Sequence, residues 1–220
     1  MNDAIRQNKE RAMWDKQAPG YDRRNLRVYK NAYDLSIQKA RAVLSPDQEV
    51  LEIGCGTGSI SLGIAPDVKR VVATDISPQM IAVAQNKVRR LSIPNVEFRV
   101  CDGYSLPFDG QAFDVVLLFN VLHLVKEPTA LLHEAHRLLK PFGYLITATD
   151  CYAEPVPLPF RIGLGVQRLL NLIGVIPFMW HFGKEDIHQL LERCSFDSIE
   201  TDVLHPTPVN YYLLARKQRG

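Results

Sequence analysis

From residue 50 onward, the chain alternates short runs that are apolar at nearly every position with stretches of helical periodicity. Continuous apolar runs are typical of strands buried on both faces, and the helices between them supply the crossovers of a parallel sheet. Five such strands are predicted, at Val50–Ile53, Arg70–Asp75, Val96–Cys101, Phe113–Phe119 and Tyr144–Thr149. The expected fold class is therefore α/β, with a doubly wound, mostly parallel sheet.

Two further strand-like runs close the chain, at Ser198–Leu204 and Val209–Arg216. Only four residues separate them, which is too few for a crossover helix, so they are expected to pair as an antiparallel hairpin. With them the sheet has seven strands. The predicted helices are Asn31–Val43 ahead of the sheet, then Ser59–Ala65, Gln79–Leu91 and Ala130–Lys140.

The bulk properties predict one domain over residues 1–220, with a helical cover at 1–45 and an insert at 151–183. The 46% hydrophobic and 23% charged residues argue against a disordered chain. The four cysteines have no metal-ligand spacing, so no metal is expected, and the N-terminus lacks the apolar stretch of a secretory signal. The expected location is the cytoplasm.

The net charge of +2 is unevenly distributed. Residues 1–41 carry ten Lys or Arg against five Asp or Glu (+5), and the remainder carries sixteen against nineteen (−3). A basic arm of this kind is expected to be a solvated helix face. Contact with an anionic substrate or surface is the alternative.

Three glycines, Gly54, Gly56 and Gly58, lie between the first strand and the following helix. Glycine lets the backbone turn tightly and approach a ligand closely, and backbone N–H groups at the helix start are expected to face that ligand. Asp75 ends the next strand seventeen residues after Gly58, where its carboxylate can accept from both hydroxyls of a ribose. These features suit several nucleotide cofactors.

Polar residues also follow the third and fourth strands. Asp102 and Gly103 come after the third, where a carboxylate can accept from an adenine amino group. Asn120 ends the fourth, where it can reach the polar end of the same ligand. All these positions lie at carboxyl ends of strands, where open α/β sheets bind ligands.

With these clusters the sequence resembles the class I S-adenosylmethionine (SAM)-dependent methyltransferases, in the branch that includes quinone, phospholipid and small-molecule methyltransferases. The resemblance covers residues 14–150 and fits the terminal hairpin. It is carried by VLEIGCGTGSIS, VVATDISPQMI, CDGYSLPFDGQAFDVVLLFNVLHLV and LLKPFGYLI. It implies a Rossmann-like fold, SAM as methyl donor and S-adenosylhomocysteine as product. NAD fits less well, because Gly58 falls one position early for the dinucleotide pattern.

The resemblance also implies roles for individual residues around the cofactor. Glu52 orders the glycine loop or bonds the SAM amino group, and Tyr21 with Asp22 resembles a capping arm. The remaining implied contacts are the methionine portion at Gly54, Gly56 and Thr57, the ribose at Asp75, the adenine at Ile76, Met80, Asp102 and Gly103, and the methionine end at Asn120.

Methyl transfer is an in-line displacement that needs alignment and exclusion of water, and a base only where the acceptor loses a proton. His123, three residues past Asn120, is the best candidate base. A purely structural histidine is the alternative. Asp150 is a further candidate base, and the residues expected to contact the acceptor are Tyr33, Tyr152, Leu169 and His181.

The segment 160–176 places Arg161, Gln167, Arg168 and Asn171 on one stripe of a helix, with apolar residues or glycine elsewhere. It is expected to form a lid whose apolar residues, such as Leu164, Leu169, Leu172 and Ile173, face a hydrophobic acceptor or a lipid surface. Ordinary packing on the sheet is the alternative.

The acceptor is therefore expected to be a small hydrophobic or lipid-like molecule, and contact with an anionic membrane surface is a further expectation. A nucleic-acid methyltransferase is disfavoured, because Val121-Leu122-His123 follow Asn120 where amino-base methylation needs Pro-Pro-aromatic. A non-catalytic SAM-binding module is the other alternative. The sequence leaves the oligomeric state open.

Overall fold

The computed structural model describes residues 3–172 and 178–218. Its centre is a seven-stranded sheet in the order β3-β2-β1-β4-β5-β7-β6. Strands β1 to β5 are mutually parallel, and β7 runs antiparallel to both β5 and β6. The strands are β1 (Glu49–Ile53), β2 (Arg70–Asp75), β3 (Val96–Val100), β4 (Phe113–Phe119), β5 (Leu139–Cys151), β6 (Phe196–Pro206) and β7 (Val209–Lys217). The predicted fold class and hairpin are confirmed.

Seven α-helices lie within the described residues, and a short 3-10 helix (Ala65–Asp67) follows the third of them. Four flank the parallel strands or the hairpin: α3 (Ser59–Ile64), α4 (Pro78–Leu91), α5 (Pro128–Leu138) and α7 (Lys184–Arg193). Helix α6 (Leu158–Leu172) lies in the predicted insert. Helices α1 (Asp3–Gln17) and α2 (Tyr21–Arg41) precede the sheet. Helix α2 begins at Tyr21, ten residues before the predicted start at Asn31. Gly20, just before it, has a left-handed φ of 73°, which separates α2 from α1.

The two faces of the sheet bury separate apolar clusters because successive strand residues point to opposite sides. On β1, Leu51 belongs to one cluster and Val50 to the other. Leu131 and Leu138 of α5 and Ile187 of α7 cover the first face. The second face is covered by α2, α3 and α4, through Ala32, Ile60, Ile64, Ile81 and Ala84. Helices therefore cover both faces, as a doubly wound sheet requires.

Strand order reverses between β1 and β4, since β2 and β3 extend the sheet on one side and β4 and β5 on the other. Loops after these strands diverge at such a point and leave a crevice outside the carboxyl ends. Asn120 immediately follows β4 with a φ of 56°, and its N–H donates to the carbonyl of Ala148 on β5 at 2.7 Å. The fold thus brings the predicted site residues to one edge.

Two local features were not evident from the sequence. Leu91, whose helical spacing places it on one face with Met80 and Ile81, is 55% exposed because α4 ends there. His188 is half-buried and bonds the hydroxyl of Tyr211 at 2.8 Å, while His205 packs edge-on against Tyr29.

Candidate active site

The glycine loop after β1 requires glycine at its first and last positions. Gly54 has a φ of +75°, and a Cβ there would lie 2.4 Å from Val121 Cγ2. Gly58 has a φ of +78°, and its Cβ would lie 2.5 Å from the ring of Phe98. Both the left-handed backbone and the close neighbours exclude larger residues. The loop can therefore follow this path only with glycine at both positions.

The N–H groups of the three glycines all donate to other groups of the protein. The Gly54 N–H donates to the carbonyl of Thr74 at 2.7 Å, and the Gly56 N–H donates to Asp75 Oδ2 at 2.8 Å. The Gly58 N–H donates to the carbonyl of Cys55 at 2.9 Å. The glycines therefore shape the cleft and hold Asp75.

Asp75 is fixed from two sides at the tip of β2. Its Oδ2 accepts from Gly56, and its Oδ1 accepts from the N–H of Ser77 at 2.9 Å. Burial raises the pKa of Asp75, and the two backbone hydrogen bonds oppose that rise. Because each carboxylate oxygen has further lone pairs, Asp75 can still accept hydrogen bonds from a ligand.

One cleft, here called the cofactor cleft, is lined by all eleven residues that the sequence predicted to contact the cofactor. Its empty volume is about 1040 Å³, including the part open to solvent. These residues are Tyr21, Glu52, Gly54, Gly56, Thr57, Asp75, Ile76, Met80, Asp102, Gly103 and Asn120. Residues from the ends of β1, β2, β3 and β4 therefore converge on one site.

Glu52 lies at the floor of the cofactor cleft and is only 2% exposed. The hydroxyl of Ser61 donates to its Oε2. Burial raises the pKa of Glu52 to about 7, and the hydrogen bond from Ser61 acts in the opposite direction. Its charge therefore changes near neutral pH and responds to any cation that enters the cleft.

Helices α1 and α2 form a further wall of the cofactor cleft, where the sequence predicts a helical cover. Asp22 accepts from the Thr57 hydroxyl and pairs with Lys87 Nζ at 2.6 Å. Lys87 also donates to the Thr57 carbonyl at 2.9 Å. Asp15 of α1 accepts from Ser77 Oγ at 2.6 Å. The start of α2 is thus tied to the glycine loop, and α1 is tied to the loop after β2.

Sequence reasoning did not identify the α1 residues that complete the cofactor cleft. Glu10 and Trp14 line it, and Gln7 donates from Nε2 to Asp102 Oδ2 at 2.6 Å. The sequence predicted this region only as a basic helical cover. The positions of these α1 residues depend on how α1 packs, which no local pattern encodes.

A second cavity adjoins the cofactor cleft and has an empty volume of about 750 Å³. The two share a wall formed by Tyr21, Tyr33, Ile60, Asn120 and Leu124. Beyond that wall, the second cavity is lined by Asn25, Tyr29, Ala32, Ser36, His123, Asp150, Tyr152 and Asn210. Four residues predicted to act on the acceptor therefore line one cavity: Tyr33, His123, Asp150 and Tyr152.

His123 is 4% exposed, and burial lowers its pKa. Its Nδ1 has no hydrogen-bond partner among the residues that the structure describes. The ring packs edge-on against Tyr152 with centroids 5.9 Å apart, and Tyr152 in turn packs against His181 at 5.6 Å. His181 lines neither of the two cavities, and its ring packs against Tyr152, which lines the second.

A polar chain crosses the second cavity from the hairpin to the end of β4. Asn210 Nδ2 donates to Asn120 Oδ1 and to Asp150 Oδ1, both at 2.7 Å. The hydroxyl of Tyr152 donates to Asp150 Oδ2 at 3.1 Å. Asn210 was missed from the sequence, although it lies directly opposite Asp150 in the β5–β7 register. The predicted hairpin was the only signal that pointed to it.

The two sides of α6 differ. Leu164 and Phe160 line a third cavity of about 570 Å³, which shares Tyr29 and Tyr152 with the second. Leu169 is 59% exposed on the other side and lines none of these cavities. The expectation that Leu164 and Leu169 face the same partner is therefore wrong. Ile173 lies outside the described residues, as does the side chain of Leu172.

The outer side of α6 is apolar. Leu158, Ile162 and Val166 are 66%, 65% and 54% exposed, and they lie at four-residue intervals beside Leu169. Arg161 and Arg168 are exposed as well. No helix within residues 3–172 and 178–218 is long and apolar enough to cross a membrane.

Comparison with known proteins agrees with this architecture. A family model described as a methyltransferase domain matches residues 51–147. The demethylmenaquinone methyltransferase of Tropheryma whipplei (strain Twist) is 30% identical over 203 residues, which cover 86% of this chain and 83% of that protein.

Two solved structures show the same fold. A putative methyltransferase in complex with the Trm112 activator from Haloferax volcanii superimposes with a TM-score of 0.77 at 17% identity, covering 94% of this chain and 98% of the other. A SAM-dependent methyltransferase from Methanosarcina mazei has a TM-score of 0.65 at 24% identity, covering 83% and 98%. On the sequence match and the fold, this chain is a SAM-dependent methyltransferase and belongs to the class I family.

Proposed function

We propose that the protein transfers the methyl group of SAM to a small hydrophobic acceptor that occupies the second cavity. The shared wall carries this proposal, since Asn120 and Leu124 line both cavities. A donor in one cavity and an acceptor in the other would meet across these residues. Proximity and alignment supply most of what such a displacement needs.

The cofactor cleft suits a cationic ligand. SAM, when bound, supplies an electrophilic methyl group on a positively charged sulfur. Carboxylates from Glu10, Glu52, Asp75 and Asp102 line the cleft, and opposite charges in a partly buried site attract. Asp75 binds the ribose hydroxyls in this proposal, and Tyr21 closes the cleft from α2. Met80 and Ile76 pack against the adenine.

His123 is proposed as the group that takes a proton from the acceptor. Because burial lowers its pKa, the ring is neutral near pH 7 and has a free lone pair to accept a proton. Tyr33 and Tyr152 contact the acceptor, and burial raises the pKa of both hydroxyls, so they stay protonated. The hydrogen of Tyr152 goes to Asp150, so this hydroxyl offers its oxygen to the acceptor. His181 supports Tyr152 from behind.

The relatives named as demethylmenaquinone methyltransferases suggest the acceptor to test first. Its ring must be electron-rich to attack a methyl sulfonium, so the reduced, hydroquinone form is the appropriate probe. Methyl-labelled SAM is incubated with the protein and reduced demethylmenaquinone, and separately with an RNA and a DNA sample. Label in the quinone fraction alone supports the proposal. Label in nucleic acid, or tight SAM binding with no labelled product, would contradict it.

The outer side of α6 is proposed to contact an anionic membrane surface. Leu158, Ile162, Val166 and Leu169 form an exposed apolar stripe, and Arg161 and Arg168 beside it are complementary to acidic headgroups. This side lies across the helix from Leu164 and the third cavity, which joins the second at Tyr29 and Tyr152.

Vesicle flotation tests this contact. The protein should float with phosphatidylglycerol vesicles and much less with phosphatidylcholine vesicles, and added salt should weaken the binding. Ile162→Glu should abolish flotation. Leu91→Glu, at the end of α4 where the leucine is 55% exposed, is the control and should float like the unmodified protein. Equal loss in both variants, or binding to neither vesicle, would remove α6 from this role.

A further inference from the structure

The polar chain in the second cavity uses every hydrogen of one amide group. Asn210 Nδ2 carries two hydrogens, and they go to Asp150 Oδ1 and Asn120 Oδ1, each at 2.7 Å. Asn210 is 4% exposed, so losing either bond would leave a buried polar atom without a partner. The geometry therefore fixes which end of the Asn210 amide faces each neighbour.

Asp150 determines the direction of the whole chain. Its Oδ1 accepts from Asn210 and its Oδ2 accepts from the hydroxyl of Tyr152 at 3.1 Å. A carboxylate offers only acceptors, so Asn210 must turn its nitrogen toward Asp150. The same nitrogen donates to Asn120, which therefore accepts through its Oδ1. The Nδ2 group of Asn120 is thereby directed away from Asn210.

Asn120 lies between the cofactor cleft and the second cavity and lines both. We propose that Asp150 and Asn210 are positioning residues, which hold the amide of Asn120 so that it presents N–H donors to the ligands. The ligand atom that Asn120 contacts is then an oxygen that accepts a hydrogen bond. It belongs either to the carboxylate of SAM or to the methyl acceptor, and naming these two ligands rests on the proposed function.

An exchange of the two residues separates this role from a structural one. In Asp150→Asn/Asn210→Asp, the pair keeps an N–H···O bond, with the donor now at position 150. Position 210 then offers only acceptors, so Asn120 must turn its nitrogen toward it and present its oxygen to the ligands. Asn210→Leu removes the chain altogether. Thr147→Val, which removes a buried hydroxyl that donates to the Leu118 carbonyl, is the control for lost stability alone.

The exchanged protein should regain the melting temperature that Asn210→Leu loses, without regaining function. If the oxygen belongs to SAM, the Kd for SAM should rise about tenfold to a hundredfold by calorimetry. If it belongs to the acceptor, the Kd should hold while kcat/KM for reduced demethylmenaquinone falls by a similar factor. Thr147→Val should change neither constant. Recovery of both stability and function in the exchanged protein would overturn the proposal.

A second measurement needs no acceptor. In protein labelled with 15N-asparagine, the side-chain NH₂ of Asn210 should exchange slowly with solvent and that of Asn120 quickly. In the exchanged protein, the Asn120 NH₂ should become protected. A protected Asn120 NH₂ in the unmodified protein would refute the orientation. If reduced demethylmenaquinone is not methylated at all, the proposed acceptor fails, and the amide exchange still decides the role of Asp150 and Asn210.

Discussion

The backbone N–H of Gly56 donates a 2.8 Å hydrogen bond to Asp75 Oδ2, so the glycine loop after β1 and the tip of β2 hold each other in place. This hydrogen bond fixes the orientation of the Asp75 carboxylate, which lines the cofactor cleft. The cofactor cleft is thus built from one unit, in which the loop sets the shape and Asp75 supplies the hydrogen-bond acceptors.

Replacing Asp75 tests that unit. Asp75→Ala should weaken SAM binding by about tenfold to a hundredfold, because hydrogen bonds to a charged acceptor contribute roughly 1.5–3 kcal/mol. Calorimetry gives the dissociation constant, and the melting temperature reports whether the loop still folds. Asp109→Ala, at an exposed position, should leave SAM binding unchanged. An unaltered constant in Asp75→Ala would exclude this residue from the ribose contact.

Glu52 should make SAM affinity depend on pH. Since burial raises its pKa to about 7, the residue binds a proton more tightly in the folded protein than in the unfolded chain. The free energy of unfolding should therefore fall as pH rises from about 4.5 to about 7, and then level off. SAM is cationic and favours the carboxylate, so its affinity should rise between about pH 6 and about pH 8.

Glu52→Gln keeps the shape of the side chain and removes the titration. Its SAM affinity should be lower above pH 7 and nearly independent of pH. Glu49→Gln, at the opposite end of β1, should retain the pH dependence of the unmodified protein. The same slope in Glu52→Gln would show that another group is responsible.

The contacts that Asp22 makes between α2 and the glycine loop should become stronger when SAM binds. Asp22 connects Thr57 and Lys87 across that boundary, so hydrogen exchange of residues 11–29 should slow on addition of SAM. Asp22→Asn should reduce this protection and speed the release of SAM. Lys30→Met breaks only an exposed pair with Asp34 and serves as the comparison. Equal exchange with and without SAM would make the two helices a passive wall.

His123 should affect turnover without affecting cofactor binding. If it takes the acceptor's proton, His123→Asn should lower kcat by about a hundredfold or more, with the Kd for SAM unchanged. Only the neutral ring can accept the proton, and burial lowers the pKa of His123. Activity should therefore rise with pH through a midpoint below 6.5 and then reach a plateau. A proportional loss of kcat and melting temperature would indicate a structural histidine.

The sheet and the cofactor cleft were predictable because their signals are local. Continuous apolar strands mark β1 to β5, and the residues directly after them, such as Asp75 and Asn120, must meet at one edge of a parallel sheet. The boundaries of α2 were less accessible, because only the fold shows that Tyr21 and Asp22 belong to its first turn.

The rest of the site depends on contacts between distant parts of the chain. Asn210 meets Asp150 through the register of the β5–β7 pair, and a shift of one residue would turn its side chain to the other face. The orientation of α6 could not be predicted from the sequence either. Both of its sides are apolar, so periodicity alone could not decide whether Leu164 or Leu169 faces inward.

Donor and acceptor are proposed to occupy two adjoining cavities, and filling the second cavity tests this arrangement. Ala32 and Ser36 of α2 line only that cavity. Ala32→Phe and Ser36→Leu should each abolish methyl transfer to reduced demethylmenaquinone while the Kd for SAM stays within about twofold, with the melting temperature measured alongside. Full turnover in both stably folded variants, or loss of SAM binding together with turnover, would contradict the two-cavity account.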